Sequence, residues 1–356
     1  MSAVAFDLPT GLEASAPPER RDGVRLLVAR PNGVRHARFD EFGEHLAPGD
    51  LVVVNTSAML PAAVSGSRHG DRAGNRAVVV HFATALDDGD WVLEVRAADP
   101  AGVPAGSAKP IWEVGTGPVD DLRRGERIAL PHGVWLTVHA PHPAGQDRLW
   151  RASVPIDGGV VPYLRHVGRP IRYAYVLDPQ PMDAYRTVFG RDPGSAEMPS
   201  AGRPFSTDLV TDLVTRGILV APVLLHTGVS SQEPGEPPQA ERFRVDAHTA
   251  RLVNATRRWG GRVVAVGTTA TRALESATGP DGTVRAAAGW TDLVLDPRRA
   301  ARTVTGLVTG WHAPGASHLD LLEAVAGPDL VAAAYREALR ERYLWHEFGD
   351  SCLLLP

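Results

Sequence analysis

Hydrophobic positions follow three successive patterns along this chain. Near the start, "VRLLVA" and "VRHARF" are strand-like runs flanking Pro31-Asn32-Gly33, and Asn-Gly between two such runs predicts a hairpin. A short helix around Asp40 to Leu46 then leads into "LVVVN", residues 51–55, an unbroken apolar run that reads as a buried strand. From about Pro61 to Pro155 the runs become short and alternating: "AVVVHFA", "DWVLEVRA", "ERIALP", "VWLTVHA" and "RLWRASV", separated by Gly, Pro and Asp clusters and carrying no helical period. That stretch predicts a small β-barrel or sandwich. From about residue 205, helical periodicity in "STDLVTDLVTRG", "DAHTARLVNATRRWG", "HLDLLEAVAG" and "DLVAAAYREALRERYLW" alternates with the apolar runs "ILVAPVLLH", "RVVAVGT" and "TGLVTGW".

Strands spaced by helices of this length imply a mostly parallel sheet. The expected fold is therefore α/β, with residues 1–60 and 156–356 forming the sheet domain and a small β-barrel inserted at 61–155. The segment "SSQEPGEPPQAE", 230–241, is polar and Pro-rich and reads as a mobile loop.

Composition narrows the function classes. With 356 residues and 44% hydrophobic content the chain can bury a substantial core. No stretch approaches the roughly 20 apolar residues of a membrane span, and no export signal opens the chain, so a cytoplasmic location is expected, with no membrane partner. The net charge of −4 excludes a strongly basic polyanion binder and confines any nucleic-acid contact to a local patch. The single cysteine, Cys352, excludes an internal disulfide and a cysteine-rich zinc site, and no metal is expected; its plain reading is a small core residue. GxGxxG, P-loop and GxSxG patterns are absent, which argues against the usual nicotinamide, ATP and serine-hydrolase chemistries.

Ligands of open α/β sheets gather beyond the carboxyl ends of the strands. Three such ends carry chemistry here: "LLHTG" with His226 and Gly228, "VGTTATR" with Gly267, Thr268, Thr269 and Arg272, and "VTGWHAP" with His312. If these strands are parallel neighbours, both histidines and the Gly-Thr-Thr turn face one crevice. Helix-start amides after Gly267 would suit a carboxylate, a phosphate or a ribose hydroxyl, and Arg272 a carboxylate. Each has a plainer alternative: Thr269 as an N-cap, each histidine as a hydrogen-bonded structural residue, Arg272 as the surface partner of Glu275 three positions on.

Taken in order, these motifs resemble those of the S-adenosylmethionine:tRNA ribosyltransferase-isomerases of queuosine biosynthesis. The similarity is carried by "FDLPTGLEA", "LAPGDLVVVNTSAMLPAAVSG", "YRTVFGRDPGSAEMPSAGRPFS", "LLHTG", "GRVVAVGTTATRALES", "LVTGWHAP" and "AYREALRERYLWHEFGD", spread over essentially the whole chain. The resemblance implies an α/β domain with an inserted barrel. It also implies a reaction in which the ribosyl portion of S-adenosylmethionine, used as co-substrate, is attached to the aminomethyl group of a 7-deazaguanine in the tRNA anticodon stem-loop. Adenine and methionine leave and an epoxide forms. On this reading His226 or His312 is the base or acid; Gly267, Thr268, Thr269, Arg272, Tyr185, Gly202 and Asp350 line the substrate site; and the protein acts as a monomer.

The chain departs from the family at several positions. Glu197, Met198, Arg203 and Pro204 stand where small residues and a Leu-His pair are usual; Ala58 and Ala63 replace arginines; Gly310 replaces an asparagine; and Tyr343-Leu344-Trp345 replaces a Tyr-Arg-Phe run. The remaining basic candidates for tRNA are Arg165, His166, Arg169 and Arg172 beside Tyr163 and Tyr173, with Arg298, Arg299 and Arg302 as a second group. The alternatives to the family activity are a small-molecule acceptor, or a non-catalytic protein that binds an adenosyl ligand or RNA.

Overall fold

The computed structural model describes residues 5–69, 76–98, 117–173, 175–176, 178–229 and 239–356. Residues 230–238 of the expected loop lie outside the described residues. The chain opens with the hairpin β1 (Arg25–Arg30) and β2 (Gly33–Arg38). Its register pairs Arg30 with Gly33, so the two loop residues are Pro31 and Asn32, and Gly33 takes a positive φ as the first paired residue. A 3-10 helix, Phe39–His45, leads to β3 (Leu51–Asn55) and the short β4 (Ser57–Met59).

Six antiparallel strands then close into a barrel: β5 (Ala63–His69), β6 (Arg76–Ala85), β7 (Trp91–Ala97), β8 (Arg127–Ala129), β9 (Trp135–Pro141) and β10 (Leu149–Ser153). Each of the five alternating runs read from the sequence became one of these strands. Closure leaves no unpaired edge, and the inward residues form a core of their own that includes Val80, Phe82, Leu93, Ile128 and Leu136.

The chain returns through α1 (Val160–Val167), α2 (Met182–Tyr185), β11 (Asp192–Ser195), a 3-10 turn at Ser200–Gly202 and α3 (Thr207–Thr215), whose N-cap Ser206 accepts the Leu209 amide. The remaining elements are β12 (Leu219–Leu225), β13 (Glu241–Val245), α4 (Ala247–Arg258), β14 (Val263–Val266), α5 (Gly267–Ser276), β15 (Ala287–Thr291), β16 (Gly306–Thr309), α6 (His318–Ala326), α7 (Pro328–Arg340) and β17 (Ser351–Leu354).

Nine strands form one sheet in the order β15-β13-β12-β3-β14-β16-β17-β1-β2. The expected α/β fold with an inserted barrel is present. Parallel pairing holds through the centre, β12-β3-β14-β16, and between β1 and β17, whereas β13, β15 and β2 pair antiparallel, as do β16 and β17. The reason lies in the connections. One helix carries the chain back to the starting edge, but the pair α6-α7 between β16 and β17 brings it in from the opposite one.

The central strands read as continuous apolar runs because both faces are covered. In β3, Leu51 and Val53 face α4, α5, α6 and α7 along with Val263, Ala265 and Leu274, while Val52 and Val54 face α3 and the 3-10 helix with Phe39, Phe42 and Phe205. Cys352 is a buried residue of β17, as its plain reading required. Among the described residues no helix is long and apolar enough to cross a membrane.

At the amino ends of β3 and β14 the buried Asp50 ties the sheet together. It accepts the Ala47 amide at 2.8 Å and the Arg262 amide at 2.8 Å, and pairs with the Arg262 guanidinium at 2.5 Å. Burial pushes its pKa up, but the Arg262 guanidinium and the two amides outweigh that and hold it below the ordinary value. A depressed folded pKa gives stability that is present above the unfolded pKa of about 4 and lost as pH falls through the folded one. Asp50→Asn is therefore expected to cost about 2–3 kcal/mol near pH 7, read from urea midpoints, with the deficit shrinking as the pH drops below about 4.

Candidate active site

The order β12-β3-β14-β16 brings four carboxyl ends to one edge. His226 follows β12, Asn55 ends β3, Gly267 follows β14 and His312 lies just beyond β16. The motifs expected to share a crevice thus share a sheet edge. Gly267 has φ +88°, a conformation that favours glycine, and a Cβ there would sit 3.3 Å from the Ala201 Cβ. The N-cap of α5 is Val266 and no side chain caps the helix, so its first-turn amides face the edge without a side-chain acceptor. Thr269 is not the N-cap. Its hydroxyl instead accepts a hydrogen bond from the Asn55 amide at 3.1 Å.

Asn55 is the bracket of this edge. Its Oδ1 accepts the Leu225 amide at 3.0 Å and the Ser57 amide at 3.0 Å, while its Nδ2 donates to the Leu225 carbonyl at 2.8 Å as well as to Thr269. Ser57 begins β4, which pairs in parallel with β11 and so brings Ser195 alongside. The Ser57 hydroxyl lies 2.5 Å from that of Ser195 and 2.7 Å from His226 Nδ1, and Ser195 Oγ accepts the Thr227 amide at 3.0 Å. The imidazole packs against Gly194, where an added Cβ would stand 2.5 Å from His226 Cε1. Burial, above all, lowers the His226 pKa, partly offset by Asp192. The ring is held through Nδ1 in its neutral form.

His312 occupies different surroundings. Its Nε2 meets the Thr309 hydroxyl at 3.0 Å, its amide donates to the Tyr335 hydroxyl at 3.2 Å, and its carbonyl accepts Trp345 Nε1 at 3.1 Å. It stacks on His318 with centroids 4.5 Å apart. Burial depresses both rings, His318 to about 4 and His312 well below its ordinary value. Three inter-strand spacings, on the order of 14 Å, separate the ends of β12 and β16.

The other sequence candidates divide. Arg272 is engaged by protein acceptors: it pairs with Glu241 and donates to the carbonyls of Leu293, Gln239 and Thr291, at 3.1, 3.4 and 3.3 Å. That corrects the reading of Arg272 as a surface partner of Glu275. Glu275 is buried and accepts the amides of Arg302, Thr303 and Val304. Asp350 is likewise consumed in the fold, accepting the Leu344 amide at 2.8 Å and pairing with Arg25 at 2.8 Å.

Tyr185 and Gly202 are buried; the Tyr185 ring lies 5.2 Å from that of Phe348, and a Cβ added at Gly202 would stand 3.5 Å from Thr187 Cγ2. Arg165 and His166 are exposed on α1, whereas Arg169 donates to Ser65 Oγ at 2.8 Å and Arg172 to the Val176 carbonyl at 3.2 Å. Tyr163 is buried with its hydroxyl on the Pro131 carbonyl, so it offers no stacking face. Arg298 is paired with Asp296 at 2.6 Å, which neutralises part of the second basic group. Among the described residues no group of three His, Cys, Asp or Glu side chains could hold a metal ion.

The sequence reading missed Asn55, Ser57, Ser195 and Glu347. An asparagine closing a run of buried aliphatics was the one available signal. Glu347, three residues before Asp350, is pushed up to about 8 by burial and by Glu197, against the pull of Arg203, which itself is lowered to about 10 by burial.

A sequence profile described as "queuosine biosynthesis protein" matches residues 1–354. The chain belongs to that family. It is 35% identical to the S-adenosylmethionine:tRNA ribosyltransferase-isomerase of Symbiobacterium thermophilum, covering 100% of this chain and 99% of that one. It is 34% identical to the protein of the same name from Heliobacterium modesticaldum over 98% of both. The crystal structure of an S-adenosylmethionine tRNA ribosyltransferase from Thermotoga maritima is similar over 99% of each chain, with a TM-score of 0.52 and 27% identity.

Because Glu347 has a folded pKa above the ordinary 4.5, the folded state holds its proton more tightly, and stability falls as pH rises from there toward about 8. Glu347→Gln removes that penalty. The variant is expected to melt about 2–4 °C above wild type near pH 9 and within about 1 °C of it near pH 5, by scanning calorimetry.

Proposed function

We propose that this protein is a transferase that moves the ribosyl group of S-adenosylmethionine, with isomerisation, onto the aminomethyl-deazaguanine base of a tRNA anticodon stem-loop. The product is epoxyqueuosine, with adenine and methionine released. The observation that carries this reading is end-to-end similarity, at 34–35% identity, to relatives named S-adenosylmethionine:tRNA ribosyltransferase-isomerase. The uncapped start of α5 beside Thr268 and Thr269 supports it, since amides and hydroxyls at that edge suit the ribose hydroxyls or the methionine carboxylate of the donor.

In this reading the positive sulfur acidifies the ribose 5′ protons, and a neutral imidazole removes one to start the elimination that expels adenine. His226 is the stronger candidate. Its Nδ1 is committed to Ser57, which fixes the ring and leaves Nε2 for substrate, and its lowered pKa keeps it unprotonated near neutrality. His312 sits at the far end of the edge, where it would face a different part of the donor.

Adenine release on mixing the protein with S-adenosylmethionine and an anticodon stem-loop carrying the aminomethyl base tests the activity. His226→Ala is expected to slow that release by about 10²-fold to 10⁴-fold while the donor Kd moves by less than about 3-fold. Full turnover would remove His226 from the chemistry. For the RNA side, stem-loop affinity should fall steeply with salt, and Arg165→Ala should reduce the log–log salt slope by about 1. Adenine release that needs only a small amine would move the acceptor away from tRNA.

A further inference from the structure

One set of buried polar groups is left unused by this chemistry. Arg203 Nη1, Tyr185 Oη, Thr187 Oγ1 and Glu347 Oε2 are shut off from solvent and have no hydrogen-bond partner. Three of these residues are buried outright, Tyr185 at 1% exposure, Arg203 at 3% and Thr187 at 9%. One ring gathers them. The Arg203 guanidinium lies 5.1 Å from the Phe348 centroid, the Tyr185 ring lies 5.2 Å from it, and Glu347 is the residue before it. Thr187 joins them through Gly202, the neighbour of Arg203, where an added Cβ would stand 3.5 Å from Thr187 Cγ2.

A guanidinium and a carboxyl beside one ring attract each other, yet these two are held unpaired. Arg203 Nε is tied to the Ala184 carbonyl at 3.2 Å, and the Arg203 carbonyl accepts Arg21 Nη1 at 2.9 Å. Glu347 is fixed between Phe348 and His346, whose ring stacks on Tyr175 at 4.8 Å. Such groups are costly to bury without partners, and a ligand carrying both charges offsets that cost. The wall beside them is apolar, with Met59, Met198 and Val176 packed against Phe348. Arg203 and Met198 are both departures from the family resemblance, which makes the cluster a property of this chain. The same segment reaches the candidate edge, because a Cβ added at Gly267 would stand 3.3 Å from that of Ala201.

We propose that this cluster binds a free α-amino acid with a thioether side chain: the carboxylate on Arg203, Tyr185 and Thr187, the ammonium on Glu347, and the side chain along Phe348, Met59 and Met198. The carboxylate takes three donors and the ammonium takes the acceptor, so all four orphaned groups are satisfied together. Burial holds the Glu347 proton up to about 8, so an ammonium arriving near pH 7 displaces that proton into solvent. Glu197, Arg203, Tyr175 and Tyr185 are the other titratable groups facing Glu347. The proposal deepens the transferase reading and rests on it for one consequence: methionine released in the reaction stays at this site and competes with the amino-acid end of the donor.

The experiment is calorimetric titration of the full-length protein near pH 7, in two buffers of different ionisation heat. The ligands are L-methionine, methylthiopropionate, which lacks the ammonium, and methylthiopropylamine, which lacks the carboxylate. Methionine should bind at least about 10-fold more tightly than either analogue and release about one proton. Arg203→Leu should bring methionine down to the level of the amine, and Glu347→Gln to the level of the propionate with the proton release gone. Tyr185→Phe, which keeps the ring, should weaken methionine by about 3-fold to 30-fold. Methionine that binds no better than its single-ended analogues, or not at all at about 10 mM, overturns the proposal and leaves the orphaned groups to ordered water. Wild-type affinity in both Arg203→Leu and Glu347→Gln overturns it as well. Methionine binding without adenine release from S-adenosylmethionine refutes ribosyl transfer and leaves the amino-acid site standing. Adenine release with no methionine binding does the reverse.

Discussion

The site depends on one buried amide. Asn55 is 4% exposed and makes four hydrogen bonds, two accepted and two donated, which uses the full capacity of its side chain. Through them it fixes the end of β12, the turn into β4 and the first turn of α5. Ser57 then reaches His226 only because its own amide is held on Asn55. An aspartate could not donate to Leu225 and Thr269, and an aliphatic residue would leave three backbone groups unpaired in a dry sheet. The candidate edge is therefore positioned from the central strand, buried on both faces, rather than from its loops.

Much of the architecture was legible because periodicity reports burial directly. The alternating runs between 61 and 155 became the barrel strands, and the unbroken runs "LVVVN" and "RVVAVGT" became strands covered on both faces. What periodicity could not supply was direction. A pair of helices turned β17 antiparallel to β16, β13 likewise runs antiparallel to β12, and nothing in the hydrophobic pattern of a strand records which way it runs.

The edge motifs were readable as strand ends, but side-chain assignments failed where charge had several candidate partners. Arg272 and Glu275 lie three apart on one helix, yet each turned to a different neighbour, Glu241 on β13 and the backbone at 302–304. Local spacing makes such a pair possible; tertiary amides and a buried carboxylate made the alternatives stronger. Glu347 was illegible for a related reason. A glutamate in "WHEFGD" reads as solvated, and its raised pKa exists only because the fold encloses it near a second carboxylate 150 positions earlier in the chain.

The same contrast bears on how this chain relates to its family. Glu197, Met198, Arg203 and Pro204, four of the positions that depart from the family resemblance, lie on one segment, and Met198 packs there with Tyr185 and Phe348. The Gly267 turn and His226, by contrast, sit at the carboxyl edge of the central strands. A sheet edge tolerates little change, since one residue such as Asn55 serves three elements. A segment that crosses the edge serves fewer elements, so it can exchange a neutral side chain for a charged one at less cost to the sheet beneath it.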